Sequence, residues 1–468
     1  MLYNKLKNYS KSGIYPFHMP GHKRQDIDPD RLLPYKIDLT EINGFDNLHN
    51  AQGIIADIQK KAEKLYNVNK AFMLVNGATG GILSAIRAMT SYGDKILVAR
   101  NCHKSVYNAI ELCGLEPVYI LPEYDKGFGI FGSIEPNKVK AVLEENPDIK
   151  LVIITSPTYE GVVSDIKTIS AICKDFNTKL FVDEAHGAHF PFSNSFPSEA
   201  VSCGADVAVV SLHKTLPAFT QTALLLTNRL DIVDALSENL SIFESSSPSY
   251  VLMSSIELCL EYVNNNSFEE YIKRLEDFSK SLVALDKIKV LCYGTDRKCN
   301  HSFFDFDISK LIISTKNTNL SGNDLADILR KDYNIEIEMA YTDYIIAMTS
   351  ICDSNFGFEM LKNALIGIDK NCKLSDMHSN TYISELPSII FKSSLINSHK
   401  GCFIDVDLSV GRTSLEYVWA YPPGIPLLVP GEKISKNLLN LIKTLTKNGV
   451  EVYSTKQNMP DKIYVTLL

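Results

Sequence analysis

Val207-Ala208-Val209-Val210-Ser211-Leu212-His213-Lys214-Thr215 decides the fold when it is read with Leu180-Phe181-Val182-Asp183-Glu184-Ala185-His186. Each stretch is a short apolar run that ends in polar, titratable residues. Such a run reads as a strand buried on both faces of a sheet. One run delivers Ser-x-His-Lys; the other delivers an acid and, with His189, two histidines. An acid and a lysine at neighbouring strand ends suggest one site. The lysine suits an aldehyde cofactor held as a Schiff base, and the carboxylate suits a ring nitrogen.

The pattern extends upstream. Ile54, Ile55, Ile58, Ala62 and Leu65 have helical spacing, and Ala71-Phe72-Met73-Leu74-Val75 reads as a buried strand. That strand runs into Asn76-Gly77-Ala78-Thr79-Gly80-Gly81 and a helical pattern through Met89. Strand, Gly-rich turn and helix can hold a phosphate on backbone N–H groups, or can be a plain tight turn. The glycines fit neither the dinucleotide nor the NTP fingerprint. Further strands are expected at Ile96–Val98, Val118–Leu121, Leu151–Thr155 and Ala223–Leu226, with helices between most of them. The fold class is therefore α/β, a mostly parallel central sheet flanked by helices. Ligands bind beyond the carboxyl ends of strands in such sheets. Thr79, His103, Tyr159, Asp183, His186, Ser211, His213 and Lys214 all fall at or just after predicted strand ends.

After about residue 300 the texture becomes α+β, with strands expected at Leu311–Ser314 and Ile335–Glu338 around a helix near 322–332. A last unit carries Gly411-Arg412 and the Pro/Gly-rich loop from Tyr421 to Glu432. Four parts are expected: an arm over 1–50, a major domain over 51–300, a small α+β domain over 301–375 and a C-terminal domain over 385–468. Residues 1–50 hold the turn His18-Met19-Pro20-Gly21-His22-Lys23, which favours an ordered arm over a floppy tail.

Composition excludes several classes. The 468 residues are too many for one ordinary core, and 45% hydrophobic with 22% charged residues suits a globular chain. A net charge of −8 without a basic stripe argues against nucleic acid. The ten cysteines form no C-x-x-C pair, and the N-terminal histidines have no companions at ligand spacing, so no metal is expected. The N-terminus has no signal-peptide core, and no apolar stretch approaches ~20 residues, so a cytoplasmic protein with no membrane span is expected.

Six pieces, in one order, resemble the Orn/Lys/Arg decarboxylases that use pyridoxal 5′-phosphate (PLP) on the aspartate-aminotransferase fold. They are His18–Lys23, Arg100–Ser105, Pro157-Thr158-Tyr159, Asp183–His189, Ser211–Lys214, and Tyr421–Pro426 with Pro430-Gly431-Glu432. The chain is most similar to the short bacterial branch without a wing domain. The resemblance implies PLP fold type I with smaller α+β C-terminal domains. It implies that Lys214 carries the cofactor and handles a proton, that Asp183 pairs with the pyridine nitrogen, and that His103 stacks on the ring. Ala78, Thr79, Gly80, Ser211 and His213 would hold the phosphate, and His186 would sit beside the ring. It implies a homodimer or higher homo-oligomer with shared sites, Ser246, Ser247 and Ser249 reaching a partner's phosphate.

The implied reaction is decarboxylation of a basic L-amino acid to agmatine or a diamine, with arginine favoured over lysine and ornithine. A cationic substrate tail calls for acids, and Glu432, Glu160, Asp46 and Glu41 are the candidates. Arg412 is a candidate clamp for a substrate α-carboxylate. Another fold-type-I reaction (amino transfer or β-elimination) and a cofactor-binding regulator are the rival readings.

Overall fold

β-branched and leucine-rich runs make the central sheet. Its strands are β1 (Lys70–Leu74), β2 (Lys95–Ala99), β3 (Glu116–Ile120), β4 (Leu151–Thr155), β5 (Lys179–Asp183), β6 (Val207–Ser211) and β7 (Ala223–Thr227). They lie in the order β1-β7-β6-β5-β4-β2-β3. All neighbours pair parallel except β7, which runs antiparallel to both β1 and β6. Strands β5, β6 and β7 are buried almost throughout, as double-sided helix cover requires. The computed structural model describes residues 13, 15–17, 46–292, 294, 302–375, 385–421 and 424–467. Most of the expected arm, including His18–Lys23 and Glu41, lies outside those residues, as do Pro422 and Pro423.

The helix Gly77–Met89 follows β1 and packs closely on the sheet. A Cβ on Gly81 would lie 2.6 Å from Leu74 Cδ1 and 2.9 Å from Val209 Cγ2, so glycine sets the approach. Helices Lys104–Leu112 and Ile166–Asp175 follow β2 and the β4 loop.

A four-stranded sheet follows, in the order Lys289–Leu291, Lys310–Ser314, Tyr344–Met348, Met339–Ala340. Alternation divides its residues. Leu311, Ile313, Ile345 and Ala347 join the main core, while Ile312, Ile346 and Met348 cluster with Phe128, Phe303 and Phe306. Ile335–Ile337 is a strand, but it pairs parallel with Tyr15–Phe17. The partner of Lys310–Ser314 on that side is instead Tyr344–Met348, an apolar run that sequence reading passed over. The C-terminal unit has its own core, built from Val418, Leu428, Ile442, Leu445 and Val465 among others. No helix of the described residues is long and apolar enough to cross a membrane.

Candidate active site

The ends of β4, β5 and β6 and the start of helix Gly77–Met89 open onto one cavity of about 320 Å³. Ala78, Thr79, His103, Asp183, His186, Ser211, His213 and Lys214 all line it, and so does Glu160. Residues more than a hundred apart in sequence meet here because parallel strands put their carboxyl ends on one edge.

Lys214 sits in the single helical turn Leu212–Thr215 that leaves β6. Its Nζ is 2.9 Å from His186 Nε2. Burial holds the ammonium below its ordinary range, against the pull of Asp183 and Glu338. Burial first, then the neighbouring Lys214 and Lys310, hold His186 far below the ordinary histidine range. Asp183 ends β5 and is 3% exposed. Burial raises its carboxyl, while Lys214 and the Ala185 amide, which donates to Oδ1 at 3.2 Å, work the other way.

His103 caps the helix Lys104–Leu112, its Nδ1 accepting from the Ser105 amide at 3.3 Å. That contact assigns the ring proton to Nε2. The Ser105 hydroxyl joins His103 Nδ1 and Thr79 Oγ1, each at 2.9 Å. Burial pushes His103 down to about 3 and His213 down to about 4, so both rings are neutral near pH 7. His213 Nδ1 donates to the Thr222 carbonyl at 3.0 Å. Glu160 is 3% exposed, accepts from Tyr344 Oη at 3.1 Å, and is raised by burial.

Other sequence candidates lie elsewhere in this chain. Gly80 is buried one residue past the cavity wall, and its N–H donates to Asn76 O at 3.3 Å inside the helix. Glu432 is not at the cavity. It is buried and paired with Arg100, Nη2 to Oε2 at 3.0 Å, and accepts from the Val429 amide at 2.7 Å. Asp46 caps the helix Ile54–Leu65, accepting from the amides of Gln52, Gly53, Ile55 and Ala56. Arg412 donates to the Thr466 carbonyl. Ser246 and Ser247 are exposed, and Ser249 caps the helix Tyr250–Asn265. None of these lines the cavity of its own chain.

Two residues were missed by sequence reading. Glu338 lines the cavity and accepts from Tyr159 Oη. Lys310 is fully buried, with Nζ 3.4 Å from His186 Nδ1. Neither has a motif around it; each is delivered by the fold of the smaller sheet. Among the described residues no arginine lines the cavity, and no group of three or more His, Cys, Asp and Glu could hold a metal ion.

Fold and cavity together define an α/β enzyme with a buried lysine at strand ends. Comparisons with known proteins make this specific. Residues 1–355 match the Orn/Lys/Arg decarboxylase major domain and residues 395–451 match the C-terminal domain of the same family. The chain belongs to the Orn/Lys/Arg decarboxylase family and is a decarboxylase. It is 32% identical to an arginine decarboxylase of Halalkalibacterium halodurans, over 96% of this chain and 94% of that protein. It is 32% identical to the arginine decarboxylase of Bacillus subtilis, over 94% and 92% respectively. Among solved structures, a lysine decarboxylase of Francisella novicida has the same fold, with TM-score 0.79 and 18% identity, over 92% of this chain and 75% of that one.

Proposed function

We propose that the protein uses PLP to convert L-arginine to agmatine and carbon dioxide. The observation that carries this reading is the buried cavity in which Lys214, His186 and Asp183 converge at the ends of β5 and β6. The residues present suit the cofactor. The Ser211 hydroxyl is buried without a hydrogen-bond partner among the described residues. Asn76 gives the helix Gly77–Met89 no side-chain cap, which suits a phosphate at that terminus. A buried carboxylate with one amide donor, Asp183, suits a protonated ring nitrogen.

Lys214 would hold the cofactor's aldehyde carbon, Asp183 its ring nitrogen, and His103 would face the ring. Ala78, Thr79, Ser211 and His213 would hold its phosphate. Bound there, the cofactor supplies a sink for the electron pair left on Cα as the carboxylate departs. The chain's own groups do the remaining work. Low exposure of Asp183, His186 and Ser211 excludes water. Lys214 and His186, in contact at 2.9 Å, hold the proton that Cα needs afterwards. Glu160 and Glu338 are the acids suited to a guanidinium. Amino transfer is disfavoured because no arginine lines the cavity among the described residues to clamp an α-carboxylate.

Arginine is favoured over lysine and ornithine because two relatives matching over nine-tenths of the chain are arginine decarboxylases. A homodimer with shared sites is part of the proposal, since exposed Ser246 and Ser247 are available to a second copy. The test supplies protein and PLP with each basic amino acid. Agmatine and carbon dioxide in equal amounts are expected from arginine, and a 2-oxo acid as product would overturn the reading. Lys214→Ala should remove both turnover and the absorbance of the lysine-bound cofactor.

A further inference from the structure

His186 stands between two lysines. Lys214 Nζ lies 2.9 Å from its Nε2, and Lys310 Nζ lies 3.4 Å from its Nδ1. A neutral imidazole has one N–H and one acceptor nitrogen. With the proton on Nε2, the ring donates to Lys214, whose nitrogen must then be the unprotonated amine, and Nδ1 accepts from the Lys310 ammonium. With the proton on Nδ1, the ring donates to an unprotonated Lys310, and Nε2 accepts from the Lys214 ammonium. The two arrangements interconvert when Lys310 passes a proton to Nδ1 and Nε2 passes its own to Lys214. One N–H bond breaks and one forms at each step, and one positive charge moves from Lys310 to Lys214.

We infer that His186 relays a proton between Lys310 and Lys214, with Lys310 the positioning residue that holds the proton while Lys214 is a nucleophilic amine. This rests on the reading of Lys214 as the reactive lysine. The surroundings divide to suit it. Asp307 lies beside Lys310 and is itself paired with His189, Nε2 to Oδ1 at 3.0 Å. Asp183 and Glu338 face Lys214. The other titratable rings near His186 are His103, His213 and Tyr159, whose ring meets it edge-on at 4.9 Å. Two ammonium groups flanking one buried ring repel, so a single shared charge is favoured. The 3.4 Å contact lies at the long end of hydrogen-bond range.

The position of Lys310 is built into the backbone. Gly161 has φ +102°, and a Cβ there would lie 2.7 Å from Lys310 Cγ. The Asp307 amide donates to the Gly161 carbonyl at 2.8 Å, which fixes the turn against the lysine stem. Lys310 has no sequence motif around it.

The test reads the amine of Lys214 directly, in the cofactor-free full chain, by competitive acetylation with acetic anhydride across pH and mass spectrometry. Lys310→Met removes a cation near Lys214, so the midpoint for Lys214 should rise by about one pH unit, a roughly tenfold loss of free amine at fixed pH. Lys310→Arg keeps the cation and donors but does not release a proton. Its midpoint should stay at the wild-type value, while kcat of the holoenzyme falls at least about tenfold with KM little changed. An unchanged midpoint in folded Lys310→Met, or wild-type kcat in Lys310→Arg, would overturn the relay. A midpoint shift in Lys310→Met, together with a wild-type holoenzyme that decarboxylates none of the three amino acids, would leave the relay standing and remove the proposed reaction.

Discussion

Replacing Glu432 by Gln separates a structural acid from a substrate-binding one. The Arg100 and Glu432 side chains are 2% and 1% exposed and meet through one contact, Nη2 to Oε2 at 3.0 Å. Arg100 also lies over the rings of Tyr119 and Tyr107, at 5.2 and 5.8 Å, and donates to Tyr107 Oη at 3.2 Å. Removing one member of a buried pair leaves the other charge uncompensated, at a cost of about 3–5 kcal/mol. Gln keeps an acceptor for the Val429 amide and for Arg100, which favours the lower end, about 3 kcal/mol. Arg100→Met alone should cost a similar amount, and the double variant should cost less than the sum, with coupling of about 2 kcal/mol. The single tryptophan is a local reporter: Trp419 is 3% exposed, stacks on Tyr417 at 5.1 Å and meets Tyr107 edge-on at 5.8 Å. Urea unfolding followed by its fluorescence should show the loss as a fall of about 1 M in midpoint, at a slope of about 3 kcal/mol/M. KM for arginine, measured well below the transition, should stay within about twofold of wild type, since uniform binding is untouched. A stability loss under about 1 kcal/mol together with a tenfold rise in KM would rule out a structural role and return Glu432 to the substrate.

Two further outcomes follow from the cavity. Ser211→Ala removes a buried hydroxyl that lacks a partner among the described residues, so the cofactor-free protein should keep or gain stability in thermal unfolding. PLP affinity of that variant should weaken several-fold, by roughly 1 kcal/mol for one lost hydrogen bond, and unchanged affinity would remove Ser211 from the phosphate site. Stability of the cofactor-free protein should also fall in mild acid. His103 and His213 stay neutral in the fold down to about 3 and about 4, while in the unfolded chain they protonate near 6.5. Between those values the unfolded chain binds more protons, so stability drops as pH falls, by on the order of 2 kcal/mol per histidine at pH 5. Replacing both by Gln should flatten that dependence in urea titrations at several pH values; a curve unchanged by the replacement would place the titrating groups elsewhere.

What was legible in the sequence follows from where chemistry sits relative to local pattern. Asp183, His186, Ser211, His213 and Lys214 were readable because continuous apolar runs announce β5 and β6 and the polar residues follow at once. Thr79 and His103 were readable for the same reason at β1 and β2. Gly80 was read one residue too far along the turn, since a glycine-rich run does not say which amide the helix itself uses. Glu432 was misread because an acid ending a Pro/Gly-rich loop looks poised to bind. Its partner Arg100 is 332 residues away, a pairing that only the docked C-terminal unit creates. Lys310 and Glu338 carried no local signal, and their meeting with His186 and Tyr159 depends on the smaller sheet packing against the main core. The strand Tyr344–Met348 was overlooked although its residues are as apolar as those of β4, because no turn signal of the expected kind set it apart.

Everything above turns on whether this cavity removes the carboxylate of a basic amino acid. The direct measurement gives purified protein, with PLP, L-arginine labelled at the carboxyl carbon. Labelled carbon dioxide and agmatine are expected in equal amounts, both abolished in Lys214→Ala. Release of no labelled carbon dioxide from arginine, and none from lysine or ornithine in the same assay, would contradict it.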